Sequence, residues 1–110
     1  MNITPREEGA IKVLQFDGRL DTNTSPEAQA TLDGLIGEGA QKILVDFENL
    51  DYVSIAGLRV LLSTAKQLTR SGGELRLSNL NETVREIFEI SGFSTILSVF
   101  GTEQEALGGF

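Results

Sequence analysis

Ser54 and Gly57 stand where a short apolar run gives way to a helical pattern of Leu58, Leu61, Leu62, Ala65 and Leu68. A helix start offers unpaired backbone N–H groups and the positive end of the helix dipole. The Ser54–Gly57 turn is therefore suited to holding an anion or anchoring a partner, and a serine hydroxyl there could carry a phosphate. Other reactive sets are missing. The chain contains no Cys and no His, which removes thiol chemistry, Cys/His zinc sites and a histidine base together. Asp46 and Asp51 are carboxylates near the turn, but one falls in a strand pattern and the other in a turn, with nothing to bring them together for acid–base work. The glycines form neither a phosphate-cradling loop nor a dinucleotide fingerprint. No enzyme, cofactor or metal is expected.

The elements that position this turn can be read from periodicity. Ile3–Glu8 suits an edge strand, where Pro5 is tolerated. In Ala10–Phe16, Ile11 and Val13 face one side and Leu14 and Phe16 the other, and Asp17-Gly18 ends the strand with turn chemistry. Ser25 before Pro26 reads as an N-cap, opening a helix with Ala28, Leu32, Leu35 and Ile36 on one face and a stop at Gly37–Gly39. Ile43–Phe47 is almost uniformly apolar, as a central strand is. The main helix follows from about Ala56 to Ser71-Gly72-Gly73. Glu74–Ser78 alternates, with one face buried and the other wet. Asn81 caps a helix through Val84, Ile87 and Phe88, and Phe93 to Phe100 supply a loop anchor and a last strand. Thr102 and Glu105 have capping-box spacing for a final helix through Leu107, and the tail Gly108–Phe110 is expected to fray.

The expected fold class is α/β: a small mixed β-sheet with helices mainly on one face, in the order β-β-α-β-α-β-α-β-α. The chain, 1–110, reads as one domain, since 40% hydrophobic residues can fill one core at this length. Sixteen acidic against nine basic residues leave a net charge of −7, which repels nucleic acid and anionic membranes. No signal peptide or bilayer-spanning run is present, so a cytoplasmic protein is expected, without direct nucleic-acid contact or membrane insertion.

The run Leu50-Asp51-Tyr52-Val53-Ser54-Ile55-Ala56-Gly57-Leu58-Arg59 resembles the signature of the STAS domain, the anti-sigma factor antagonist family. Gly18-Arg19-Leu20-Asp21 resembles the family's Gly-x-Leu-Asp segment before its first helix, in the correct order. The resemblance implies a phosphoacceptor Ser two places before the glycine. Here that place is Ile55, and Ser54 falls one residue earlier. It also implies that Asp21, Thr22, Asn23, Thr24, Ser54, Ile55, Ala56, Gly57 and Arg59 meet a protein partner. That partner would be an anti-sigma factor with a serine-protein-kinase fold, sequestered to release a sigma factor. The alternative is a non-phosphorylatable STAS subunit of a stress-signalling scaffold or lipid-transport complex, and a homodimer is compatible with either.

Each residue also has a plainer reading. Ser54 suits an N-cap, its preferred role, with phosphorylation at Ser54 as the other. Ile55 either tucks into the core or lies exposed; exposure, which favours binding, is preferred. Asp21 either closes its own turn or contacts the partner. Thr22, Asn23 and Thr24 read as turn and cap residues. Arg59 opposes the helix dipole, so it is either incidental or poised for an acidic partner group. Tyr52 packs its ring under the turn.

Overall fold

The structure, a computed structural model, describes residues 1–110. The strands are β1 (Asn2–Glu8), β2 (Ile11–Leu20), β3 (Lys42–Asp46), β4 (Leu50–Val53), β5 (Glu74–Ser78) and β6 (Ser98–Phe100). The helices are α1 (Ser25–Gly37), α2 (Ile55–Arg70), α3 (Glu82–Ser91) and α4 (Glu103–Leu107). The sheet runs β1-β2-β3-β5-β6, with β4 attached to β2 alone. Only β1 is antiparallel to its neighbour; the other pairings are parallel, as strand–helix alternation requires. The mixed α/β class expected from the sequence is the one observed.

Two periodicities build the core. Leu14, Phe16, Ile43, Val45, Leu75 and Leu77 point to one face, where they meet Ala28 and Leu32 of α1, Leu58, Leu61 and Leu68 of α2, and Val84 and Phe88 of α3. Phe47 joins the layers, stacked on Phe16 at 6.0 Å between centroids and edge-on to Phe88 at 6.4 Å. The alternate residues Val13 and Leu44 face the other side and are covered by Ala106, with Ile11, Phe100, Leu107 and Phe110 around them. Ile43–Val45 are thus buried on both faces of the sheet, as the uniformly apolar run implies.

Four local expectations are corrected. The second strand does not stop at Asp17-Gly18 but continues to Leu20. Gly18, at φ 106°, shifts the register against β4 between itself and Arg19, so it bulges the strand without reversing it. The four-residue strand β4 lies inside what reads as a turn. Its burial falls on Leu50 and Val53, with Asp51 exposed between them, and this breaks the period-2 signal. At α1 the cap position is Thr24, and Ser25 is instead a buried helical residue whose hydroxyl donates to the Asp21 carbonyl.

The last correction concerns the far face. The polar side of β5 is open to water at Glu74 but covered at Arg76, and the tail beyond α4 is held. The Arg76 guanidinium donates to the carbonyls of Ala106 (3.0 Å), Gly108 (2.9 Å) and Gly109 (3.2 Å). It also lies against two rings, 4.9 Å from the Phe100 centroid and 4.4 Å from that of Phe110. Glu74 pairs with its Nε at 3.1 Å. One cation thereby satisfies the carbonyls that a glycine-rich tail leaves open. Arg76→Ala should cost about 2–3 kcal/mol. Urea denaturation should show that loss, and hydrogen exchange should show Ala106–Phe110 deprotected while α2 stays protected.

Candidate partner-docking site

The two segments that stand out in the sequence meet at the carboxyl ends of β2 and β4, where loops and helix starts of parallel sheets present sites. Leu20 pairs with Val53, and the Ser54 amide donates to the Leu20 carbonyl at 2.8 Å. The Asp21–Thr24 loop therefore leaves the sheet beside the start of α2.

Ser54 is the N-cap of α2. Its backbone is extended (φ −88°, ψ 173°), its Oγ accepts from the Gly57 amide at 3.2 Å, and its carbonyl accepts from Leu58 at 2.9 Å. The amides of Ile55 and Ala56 remain as the helix's unpaired donors. Ile55, the first helical residue, is 59% exposed, although it is a large apolar side chain. A surface isoleucine beside open amides is the main unusual feature of this end of the molecule. Ala56 is half-buried, and Arg59 is exposed one turn further on with no carboxylate near it.

Gly57 has a role that differs from the sequence expectation. Its close approach is to the chain's own Leu20: a Cβ on Gly57 would lie 2.7 Å from Leu20 Cγ and 2.9 Å from the Leu20 carbonyl oxygen. Gly57 is buried, so it seats α2 on β2 and does not itself present a surface.

The loop is closed by its own polar groups. Asp21 Oδ1 accepts from the amides of Asn23 (2.9 Å) and Thr24 (3.1 Å). The Thr24 hydroxyl accepts from the Asp21 amide at 2.9 Å and donates to the Arg19 carbonyl at 2.8 Å. The Thr24 amide, first of all, with the Asn23 amide, the Thr24 hydroxyl and Arg19, holds the Asp21 carboxyl below its ordinary value, outweighing desolvation, which acts the other way. Turn closure is thus present for Asp21, while Thr22 and Asn23 are exposed at the loop's tip. Asp46 is buried and accepts from the Glu48 amide and the Asn79 side chain, and Asp51 is exposed; the two do not form a pair.

One contact escaped the sequence reading. The Arg19 guanidinium lies over the Tyr52 ring at 4.6 Å and reaches Asp21 Oδ2 at 3.8 Å, so a single side chain bridges the two segments. The pairing of Arg19 with Tyr52 across β2 and β4 puts them together. With β4 unrecognised, no signal could have found it. Tyr52 is half-exposed beneath this cation, not tucked under the turn.

Comparison with known proteins places this geometry. The STAS domain family matches residues 2–106. BtrV of Bordetella bronchiseptica, provisionally named an anti-sigma factor antagonist, is 36% identical over 110 residues, spanning 100% of this chain and 95% of that one. The chain belongs to the STAS domain, anti-sigma factor antagonist family. The anti-sigma-B factor antagonist of Staphylococcus aureus is 29% identical over 106 residues, covering 96% of this STAS chain and 98% of its own. The unphosphorylated form of the antagonist SpoIIAA superposes with a TM-score of 0.82 at 26% identity, over 96% of this chain and 93% of that one. Its phosphorylated form superposes at 0.74, with 25% identity and 96% of each chain covered. Members of this family are regulators, not enzymes.

Two outcomes follow from the geometry. A Gly→Ala change in an open helix gains about 1 kcal/mol. Gly57→Ala should instead destabilise by about 1–3 kcal/mol, because Leu20 cannot retreat from both its side-chain and carbonyl contacts. Thermal melts decide the sign. For Asp21, a folded-state pKa below the unfolded value means that its contribution is present above about pH 3.9 and is lost as pH falls through the folded pKa. The stability gap between the parent protein and Asp21→Ala, followed by urea unfolding, should be constant at neutral pH and shrink on acidification below about pH 4.

Proposed function

We propose that this STAS protein is an anti-sigma factor antagonist whose docking surface is the start of α2, from Ser54 to Arg59, together with the Asp21–Thr24 loop. Its partner is an anti-sigma factor with a serine-protein-kinase fold, and capturing that partner frees a sigma factor. The reading is carried by Ile55, an apolar side chain 59% exposed at the first position of α2, on the rim shared with the loop. Burying such a group at an interface favours association by roughly 1.5–3 kcal/mol. Arg59 and the amides of Ile55 and Ala56 supply polar complement around it.

Ile55 has no hydroxyl, so no kinase can place a phosphate at this position. Ser54 is a poor substitute, since its oxygen is turned inward to the Gly57 amide and modifying it removes a cap worth about 1 kcal/mol. A kinase aligned on the Ile55 position would meet the Ser54 hydroxyl displaced, and an error of about 1 Å costs roughly a hundredfold in rate. Capture of the partner is therefore constitutive.

Incubation with the cognate kinase and ATP, followed by intact and peptide mass spectrometry, separates the outcomes. Ile55→Ser should gain one phosphate at residue 55 and the unaltered chain none. A phosphate on Ser54 of the unaltered chain would overturn the constitutive reading. Ile55→Asp tests the surface without harming the fold, because an acidic residue suits a helix start. It should melt within about 1 kcal/mol of the parent yet bind the anti-sigma factor at least roughly tenfold more weakly in calorimetry. Undiminished binding would remove Ile55 from the interface.

A further inference from the structure

A second surface lies along the outer face of α2, beyond its start, and it carries the chain's largest concentration of unpaired positive charge. Of nine basic residues, Arg6, Lys12, Arg19 and Arg76 each have a carboxylate within 4 Å. Of the five that do not, three are Arg59, Lys66 and Arg70, all exposed on α2. The helix itself contains no Asp or Glu. At 3.6 residues per turn, positions 59, 66 and 70 fall within about 20° of one line, spanning about 16 Å. Asp33 of α1, beside this face, is engaged by the side-chain amides of Gln29 and Gln67 and neutralises none of the three. Three adjacent cations left open in a chain of net charge −7 are against the overall balance.

The surface has relief as well as charge. Leu62, Lys66 and Arg70 form a ridge shared by two shallow depressions. One, of about 610 Å³, also takes in Arg59, Ser63 and Gln67 and is polar. The other, of about 300 Å³, is bordered by Ala65, Thr69 and Ile96, and Ile96 is 60% exposed. A cationic line with an apolar trough beside it complements one kind of occupant: a helix with carboxylates on one face and apolar residues on the next.

We propose that the ridge Leu62–Lys66–Arg70 is a docking surface for an acidic amphipathic helix of a partner protein. Its carboxylates meet Lys66 and Arg70, with Arg59 at the border with the helix start, and an apolar side chain enters the trough at Leu62, Ala65 and Ile96. Charge complementarity selects the partner, and the trough distinguishes a protein from a nucleic acid, whose phosphates have no use for Ile96 and are repelled by the chain's overall charge. The surface does not depend on the reading of Ile55: it borders the helix start at Arg59, while Lys66 and Arg70 lie about two and three turns further along α2.

The test uses the intact ¹⁵N-labelled protein and a synthetic helical peptide with Glu at i, i+4, i+7 and i+11 and Leu on the adjoining face. NMR shift changes should concentrate on Leu62–Arg70 and Ile96, and the affinity should fall with added salt. The double variant Lys66→Glu/Arg70→Glu should bind about tenfold more weakly or worse, and Lys66→Gln/Arg70→Gln should fall between it and the parent. Both variants alter exposed groups, so unchanged spectra elsewhere will verify their folds. A peptide with Lys in place of Glu should not bind the parent. Absence of shifts at roughly millimolar peptide, shifts elsewhere on the protein, or equal binding by the reversed variant would overturn the proposal. Tighter binding of a single-stranded oligonucleotide at the same residues would overturn the choice of a protein partner.

Discussion

The contact between Leu20 and Gly57 sets the geometry of everything at the end of this STAS protein where α2 begins. Leu20 closes β2, pairs with Val53 of β4, receives the Ser54 amide on its carbonyl and fills the space a Gly57 side chain would need. Those constraints act on one residue, so the start of α2 cannot slide along β2 or lift from it without breaking several at once. Backbone hydrogen bonds and close packing give little return when only partly satisfied, because a buried amide without a partner costs more than its bond contributes when made. The helix start is held firmly, and the Ile55 side chain it carries is presented to solvent in a fixed place. A rigid support of this kind lowers the ordering cost of association.

The opposite face of the sheet follows a different logic. There the covering element is the five-residue helix α4 and a glycine-rich tail, too short to bury much apolar surface of their own. Arg76 makes up the difference by reaching into the tail's carbonyls between two aromatic rings, while Arg6 of β1 is ion-paired with Glu103 of α4. The far face is thus closed by charge–dipole and cation–ring contacts where the main core is closed by aliphatic burial. A cation was needed because the tail's exposed groups are carbonyls, which accept only.

The sequence was most informative where burial and periodicity coincide. Leu14 and Phe16 alternating against Val13, the uniformly apolar Ile43–Val45, and the Asn81 cap, whose side chain accepts from the Val84 amide, are all as read. It was least informative where a long-range partner decides. β4 pairs with the stretch Gly18–Leu20 by which β2 outruns its pairing with β3, which ends at Gln15, and no local pattern in Leu50–Val53 announces that. The cap position falls on Thr24, one residue before Ser25, and the Ser25 hydroxyl is taken up by the Asp21 carbonyl four residues back. The tail reads as frayed because glycine composition is local, whereas Arg76 is some thirty residues away. At the site, the position and exposure of Ile55 were legible, but the use of Gly57 was not: a glycine admits close approach without saying to what.

The difference between Ser54 and Ile55 is one of direction. An N-cap oxygen must turn back along the helix to reach the N3 amide, and Ser54 does so toward Gly57. The next side chain has no such duty and projects outward, as the exposed Ile55 does. A hydroxyl serving as a cap and a hydroxyl open to modification therefore belong at adjacent but separate positions, because one group cannot face the helix and the solvent together. On this argument, an isoleucine at the outward position leaves the cap untouched and the helix intact while removing the means of adding charge. Isoleucine there also presents to water a side chain that water solvates poorly, which favours its burial against another surface. Lys66 and Arg70 lie about three turns or more beyond Ile55 along α2, so on the proposed reading they stay open when the helix start is occupied.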